Sequence, residues 1–374
     1  MSGDWRYILQ AIDGSGNPGA ILHPELPLSG VSVTTAVNAT DELKATLTPY
    51  SPAIKDLLTE WGACIWAEAS GKIRGGGILV HKETQGSAIQ LECMGLHGYA
   101  YGLPYTDLTS YNGVEIDPLD GYRQIWTHIQ SQPGGNIGLQ IPDTKTGLKI
   151  GVAMTQGEFD TVNGPLTYES GPYSLNWWDT HDLGKAIDDL RSDTPFDFRE
   201  RHEWDGNTIE HFIDLAYPRF NRRAIGVRFV VGENVIVQPS VENSGDDWAS
   251  ELELLGSGEG RTMVRGYASF PRGGRLRRVS VVEDKAIKDF KVANTRAYNL
   301  LKAQVEIGDI TSLTVLDHPL APMGSVLAGD EIFISLDYDW QEGEGFWVRI
   351  QSIEFSPDEG NNYVLTVVRS DKVA

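Results

Sequence analysis

The stretch that decides the fold is Cys64–Gly95, CIWAEASGKIRGGGILVHKETQGSAIQLECMG. It reads as a strand over Ile65–Glu68, a tight polar turn over Ala69–Lys72, a strand over Ile73–His81, a turn over Lys82–Ser87 and a strand over Ala88–Met94. Side chains of an extended chain alternate between faces, so period-two apolar spacing gives one buried and one wetter face. Polar, glycine-rich turns between such runs mark hairpins. The stretch is therefore an antiparallel three-stranded meander. Glu331–Ser370 repeats the pattern, with strands over Ile332–Tyr338, Phe346–Phe355 and Tyr363–Arg369 around a loop over Asp339–Gly345 and a turn over Ser356–Asn362. In its middle strand Trp347, Arg349, Gln351 and Ile353 share one face. Three strands alone cannot bury a core, so each meander is expected to belong to a small barrel or sandwich. Two like modules far apart in one chain suggest an internal duplication.

Working outward, residues 1–105 read as a first β-barrel module. Trp5–Ile12, Val31–Asn38 and Leu43–Thr48 are its early strands, and a short helix over Pro52–Trp61 places Ile54, Leu57, Leu58 and Trp61 at one end of the barrel. Residues 106–248 form an α+β insert. Asp117-Pro118 opens a helix, a capping carboxylate followed by proline at the first helical position. Leu119, Tyr122, Ile125, Trp126 and Ile129 make its apolar face, and Pro133-Gly134-Gly135 ends it. Thr180 is expected to cap a second helix with Leu183, Ile187 and Leu190 inward. Phe196–Glu203 and Thr208–Tyr217 form a hairpin across Trp204–Asn207, and Arg222–Val237 adds two strands. Residues 249–374 form a second β-barrel module. It contains strands over Ala249–Leu255, Thr262–Ser269 and Val279–Val282. A long helix over Asp284–Gln304 follows, with Ile287, Phe290, Ala293, Ala297, Leu300 and Leu301 on its apolar side. The expected class is α+β, mainly β: two antiparallel barrel modules with an α+β insert between them.

Composition narrows the function. The 374 residues carry a net charge of −21, which argues against a general nucleic-acid binder because phosphate contacts need Lys and Arg. An acidic wall is compatible with DNA sliding past without sticking. No apolar run is long enough to cross a bilayer as a helix. The opening MSGDWRYILQ lacks a basic region followed by an apolar one, so no signal peptide is expected. The two cysteines, Cys64 and Cys93, fall on strands of the first meander and read as buried thiols rather than a disulfide framework.

Motifs that carry chemistry are scarce. Gly256-Ser257-Gly258-Glu259-Gly260 has the glycines of a phosphate loop but is followed by Arg261-Thr262 and a β-type run, and Glu259 would face any phosphate, so it reads as a strand-connecting turn. Eight histidines are scattered without HExxH spacing; His202 and His211 are placed opposite each other across a hairpin turn, as a surface pair. Asp337, Asp339, Glu342 and Glu344 read as a solvated acidic hairpin tip rather than a cation loop. No Gly-x-Ser-x-Gly elbow occurs. No catalytic, cofactor-binding or metal-binding residue is assigned, and no cofactor is expected. The local exception to the acidic balance is Arg261–Arg278, where Arg261, Arg265, Arg272, Arg275, Arg277 and Arg278 occur with no Asp or Glu. In so acidic a chain this patch is a candidate contact with an acidic surface of a neighbouring subunit.

The run Trp61-Gly-Ala-Cys-Ile-Trp-Ala-Glu-x-x-Gly71-x-Ile-x-Gly-Gly-Gly77-Ile-Leu resembles the first barrel of hub proteins from tailed-phage tail tips, the minor tail proteins of long-tailed phages of actinobacteria. Trp204-Asp-Gly-x-x-Ile-x-His211 leading to Tyr217-Pro218-Arg219, Gly256-x-Gly-Glu-Gly260 ahead of an arginine-rich strand, and Leu327-Ala-Gly-Asp330 before the last meander are similar as well. The resemblance implies two tube-like barrels per chain, so that a homotrimer presents six similar barrels. It could then adapt a sixfold tail tube to a threefold central spike or fibre, since a threefold part meets a sixfold one only if each subunit offers two equivalent surfaces. It also implies a virion protein at the distal end of the tail. The implied partners are a distal tail protein or tail tube, the tape-measure protein and downstream tail-tip or fibre proteins, with genomic DNA in transient passage and no specific nucleic-acid binding. No catalytic motif is carried over, and a non-enzymatic structural role is expected. Two alternatives stand beside it. Ten Trp suit a carbohydrate-binding host-receptor protein. A tail-associated cell-wall hydrolase would need a further domain, for which no room is expected after the last strand before Ala374.

Overall fold

Strand Ala63–Ala69 is buried along its whole length, and that sets the architecture. Ala63, Ile65 and Ala67 face one core, shared with the second meander. Cys64 and Trp66 face another, shared with the insert. A strand covered on both faces reads as a continuous apolar run rather than an alternation, which is why the ACIWAEA sequence gave no wet side. The computed structural model describes residues 5–16, 19–48, 52–161, 164–237, 241–242, 248–271, 274–285, 287, 290–305, 309–336, 344–360 and 362–370.

The first meander is present as Ala63–Ala69, Lys72–Gln85 and Ala88–Met94, all antiparallel. Three glycines in its middle strand let backbones meet closely: a Cβ on Gly76 would overlap the carbonyl oxygen of Ile65, and one on Gly77 that of Met94. The second meander is present as Glu331–Leu336, Glu344–Phe355 and Asn362–Arg369. The acidic tip at 337–343 lies outside the described residues.

Alternation in the second middle strand changes phase, and a bulge explains it. Val348 and Ile350 are buried before it, Ile353 and Phe355 after it. The register against the last strand slips between Ile350 and Ser352, leaving Gln351 as the extra residue. Its carbonyl is used elsewhere, accepting from Val37 N–H at 2.9 Å. The face shared by Trp347, Arg349, Gln351 and Ile353 in the sequence reading is therefore split, because one inserted residue exchanges the two faces.

The two meanders belong to one sheet. Strand Leu28–Ala36 pairs with Glu42–Leu47 of the first module and with the C-terminal half of Glu344–Phe355, Phe355 opposite Val33 and Ser352 opposite Ala36. Twelve described strands are linked in this way. Among the described residues no continuous ladder closes either meander into a barrel of its own. The fold is mainly β, and one apolar core runs from Leu9 and Leu43 through to Val348 and Leu365.

The insert builds its own core on the outer face of Trp66. Helix Pro118–Ser131 starts where Asp117 accepts from Leu119 N–H at 3.0 Å, and Leu119, Tyr122, Ile125, Trp126 and Ile129 are all buried. Helix Leu183–Asp193 is capped by Asp182, which accepts from Lys185 N–H at 3.0 Å, not by Thr180. Thr180 Oγ1 instead accepts from Asn176 N–H at 3.1 Å within the preceding turn. The Pro52 helix ends at Lys55, earlier than its apolar spacing suggested. In the C-terminal part, strands Glu251–Leu255, Arg265–Ser269 and Val279–Glu283 form a separate three-stranded sheet covered by helix Phe290–Val305. Ala293, Ala297 and Leu301 face that sheet, whereas Phe290, expected inward, is 65% exposed in the first turn.

Candidate functional site

The motif residues of the insert and of the second meander meet in one junction. Hairpin Asp197–Asp205/Thr208–Ala216 carries Asp197 and Arg199; the loop behind it carries Arg219, Arg222 and Arg223; the turn before the second meander carries Asp330, and the meander itself Glu331 and Arg349. Asp330 is fully buried. It accepts from Arg222 Nε at 3.0 Å and from Leu327 N–H at 2.8 Å, with Arg199 at 3.6 Å. Glu331 accepts from Arg223 Nε at 3.0 Å, with Arg219 at 3.6 Å. Arg349 and Asp197 form a buried ion pair, and Asp197 also accepts from Phe220 N–H at 2.6 Å and from Asn38 Nδ2 at 2.8 Å. Each buried charge has a partner, which is the condition for tolerating it. Asp330 and Arg219 stood in the quoted motifs; Asp197 and Arg349 had no local signal, because their partners lie far away in sequence.

The first module meets the same hairpin through Trp66. Its indole Nε1 donates to Gln10 Oε1 at 2.7 Å, and Gln10 Nε2 donates to Gly19 O and Ile209 O at 3.2 and 3.3 Å. The ring stacks on His211 at 4.8 Å and lies 4.3 Å from His202. These histidines do oppose each other in the ladder, but they are buried and not a surface pair. Their Nδ1 atoms are 3.1 Å apart. Burial, and then the neighbouring His202, push His211 well below the ordinary histidine range. The hairpin turn was legible in the sequence; that Trp66 would cover the histidine pair was not.

Beside His202, Glu200 accepts from Leu96 N–H at 2.7 Å and His97 N–H at 3.1 Å. Asp41 accepts from Ala36 N–H at 2.9 Å. Burial, reinforced by Glu200, holds the Asp41 carboxyl well above its usual range. Asp41, Glu200 and His202 offer ligand atoms that all lie within 4.8 Å of one another. No spacing rule groups residues so far apart in the chain.

The arginine patch lies on the C-terminal three-stranded sheet. Arg265 pairs with Glu253, and Arg277 donates to Glu251 at 2.6 and 2.7 Å, holding that carboxyl below the usual range. Arg275 sits over Trp248 at 5.4 Å. Arg261 is exposed in a 3₁₀ turn, Arg278 is exposed beside the edge strand, and Arg272 lies outside the described residues. The sequence segment contains no acid, yet the neighbouring strand supplies two. Gly256–Gly260 is a strand connection, closed by Gly256 N–H to Val264 O at 2.7 Å and Val264 N–H to Ser257 O at 2.8 Å. Cys64 and Cys93 are buried free thiols, both pushed up by burial.

This is the fold of prophage tail proteins. The 43 kDa tail protein of prophage MuSo2 from Shewanella oneidensis superposes with a TM-score of 0.62 at 14% identity, over 99% of this chain and 100% of that one. Prophage tail protein gp18 from Listeria monocytogenes gives 0.56 at 12% identity, over 98% and 95%. A tail protein from Neisseria meningitidis gives 0.56 at 13%, over 98% and 97%. No protein-family model matches the sequence, and no curated protein matches it.

Proposed function

We propose that this chain is a structural, non-enzymatic hub of the distal tail tip of a phage. In this reading it forms a homotrimeric ring that adapts the sixfold tail tube to a threefold spike or fibre and lines the DNA exit channel. A distal tail protein or tail tube binds on one side, the tape-measure protein ends at it, and tail-tip or fibre proteins attach on the other. The observation that carries the reading is the pair of like meanders in one sheet, linked through strands Leu28–Ala36 and Glu42–Leu47. Each has three antiparallel strands in the same order and a long bulged middle strand, Lys72–Gln85 and Glu344–Phe355. Two similar modules per chain are what a threefold ring needs in order to offer six similar surfaces. Closure of each module into a barrel belongs to the same proposal. Fold likeness over nearly the whole of three tail proteins, two of them from prophages, supports it, and the charge of −21 suits a wall past which DNA moves. The arginine patch, with Arg261, Arg275 and Arg278, would meet an acidic face of the next subunit.

Light scattering across a concentration series tests this. The expected mass is three times the 41.2 kDa of the chain. A monomer at every concentration overturns self-assembly into a ring.

A carbohydrate-binding receptor is the second reading, favoured by Trp177 and Trp178, which are both exposed and set edge to face at 5.6 Å. Exposed indoles of this kind stack on sugar rings. Saturable binding of host-wall glycan, lost in Trp177→Ala, would support it.

A further inference from the structure

We propose that Asp41, Glu200 and His202 bind one divalent transition-metal cation, clamping the insert hairpin to the first module. Two carboxylates and an imidazole form a mixed oxygen and nitrogen donor set of the kind that takes Zn²⁺ or Mn²⁺. The donors come from separate parts of the fold: Asp41 from the turn before strand Glu42–Leu47, Glu200 and His202 from one face of strand Asp197–Asp205.

Three independent features point to a ligand here. First, His202 is 7% exposed and its Nε2 has no hydrogen-bond partner. That atom faces Glu200 Oε2 at 3.6 Å, too long for a hydrogen bond. Second, glycine at position 95 lets Glu200 and Asp41 pack closely at this point: a Cβ there would overlap Glu200 Oε1 and come within 2.8 Å of Asp41 N. Third, a cavity of about 110 Å³ opens beside Asp41, Glu200 and His202, ample for an ion and a water. Donors each about 2.1 Å from an ion stand at most about 4.2 Å apart. The present spread of up to 4.8 Å must therefore contract by some tenths of an ångström.

Three arginines line the same cavity, and two of them are neutralised. Arg199 and Arg201 also line the cavity but alternate to the other face of the strand, where Asp214 and Asp330 hold Arg199 and Glu203 and Asp214 hold Arg201. Arg74 is the remaining cation nearby. The histidine pair supplies the outer support that a metal-bound imidazole needs. A metal on His202 Nε2 fixes the proton on Nδ1, which donates across 3.1 Å to Nδ1 of His211, an imidazole that burial keeps neutral.

The test is calorimetric titration of the chelator-stripped full chain with ZnCl₂ at pH 7. One equivalent should bind, and Asp41→Asn and His202→Gln should each weaken it at least tenfold. Nitrogen chemical shifts of histidine in the wild-type chain keep the proposal testable should a variant fail to fold. Zinc should move His202 Nε2 and leave Nδ1 protonated. The competing occupant is a proton on Asp41, whose carboxyl burial holds above its usual range, and it predicts no stoichiometric zinc uptake. No saturable binding, binding unchanged in both variants, or a His202 Nε2 shift that zinc does not move would each overturn the proposal.

Discussion

Replacing His97 by phenylalanine should remove a defined part of the acid sensitivity of this fold. His97 is fully buried, and neither ring nitrogen has a hydrogen-bond partner. Its ring lies 4.0 Å from Phe198 and is nearly parallel to it, with Trp126 at 6.0 Å. The imidazole is used as an aromatic plate. Burial depresses its pKa from 6.5 to about 4, with Arg191 adding to the shift and Glu200 opposing it. The unfolded chain therefore takes up a proton at a pH where the folded chain does not. The stability that follows is present above pH 6.5 and is lost as the pH falls toward 4. With one pKa unit equal to about 1.4 kcal/mol, the loss from this residue is about 2 kcal/mol between pH 7 and pH 5 and about 3 kcal/mol by pH 4. The assay is urea unfolding of wild type and His97→Phe at pH 7 and pH 5, read as the difference of differences. That quantity cancels any packing cost of the larger ring, as well as titration of His211 and Asp41, which both proteins share. The variant should lose about 2 kcal/mol less than wild type over this interval. An equal loss in both proteins would refute the claim that His97 is held neutral by its surroundings.

Further outcomes follow from other positions. Gly76→Ala places a Cβ on the Ile65 carbonyl at a φ of +142° and should cost about 2–5 kcal/mol, read as a fall in the thermal midpoint. Gly86→Ala, with open space at its turn, should cost less, because only its positive φ opposes it. Arg349→Met strands Asp197 in the interior and should cost about 3–5 kcal/mol. Arg349→Met combined with Asp197→Asn should recover part of that in the same denaturation assay, since no charge is left unpaired and the asparagine oxygen can still accept from Phe220 N–H. Charge reversal at Arg261 and Arg275 should leave the circular dichroism spectrum unchanged and lower the scattering mass; an unchanged mass would remove the patch from the interface.

Local features were fixed by local chemistry. The Asp117-Pro118 start and the apolar face of the following helix could be read because capping and 3.6-residue spacing act within a few residues. Both meanders could be read for the same reason: alternation and turn residues are short-range signals. Placement across long sequence separations was decided only by the tertiary structure. ACIWAEA has no wet face because the second meander covers one side and the insert the other, and no residue within the strand records which neighbours arrive. His202 and His211 form a plausible surface pair until Trp66 covers them. The arginine segment is free of acids along the chain and lies beside Glu251 and Glu253 in space. Asp41 and Glu200 are 159 positions apart, and Asp197 and Arg349 are 152. Pairing and burial of such charges depend on which backbones pack together, a property of the whole chain that no window of sequence contains.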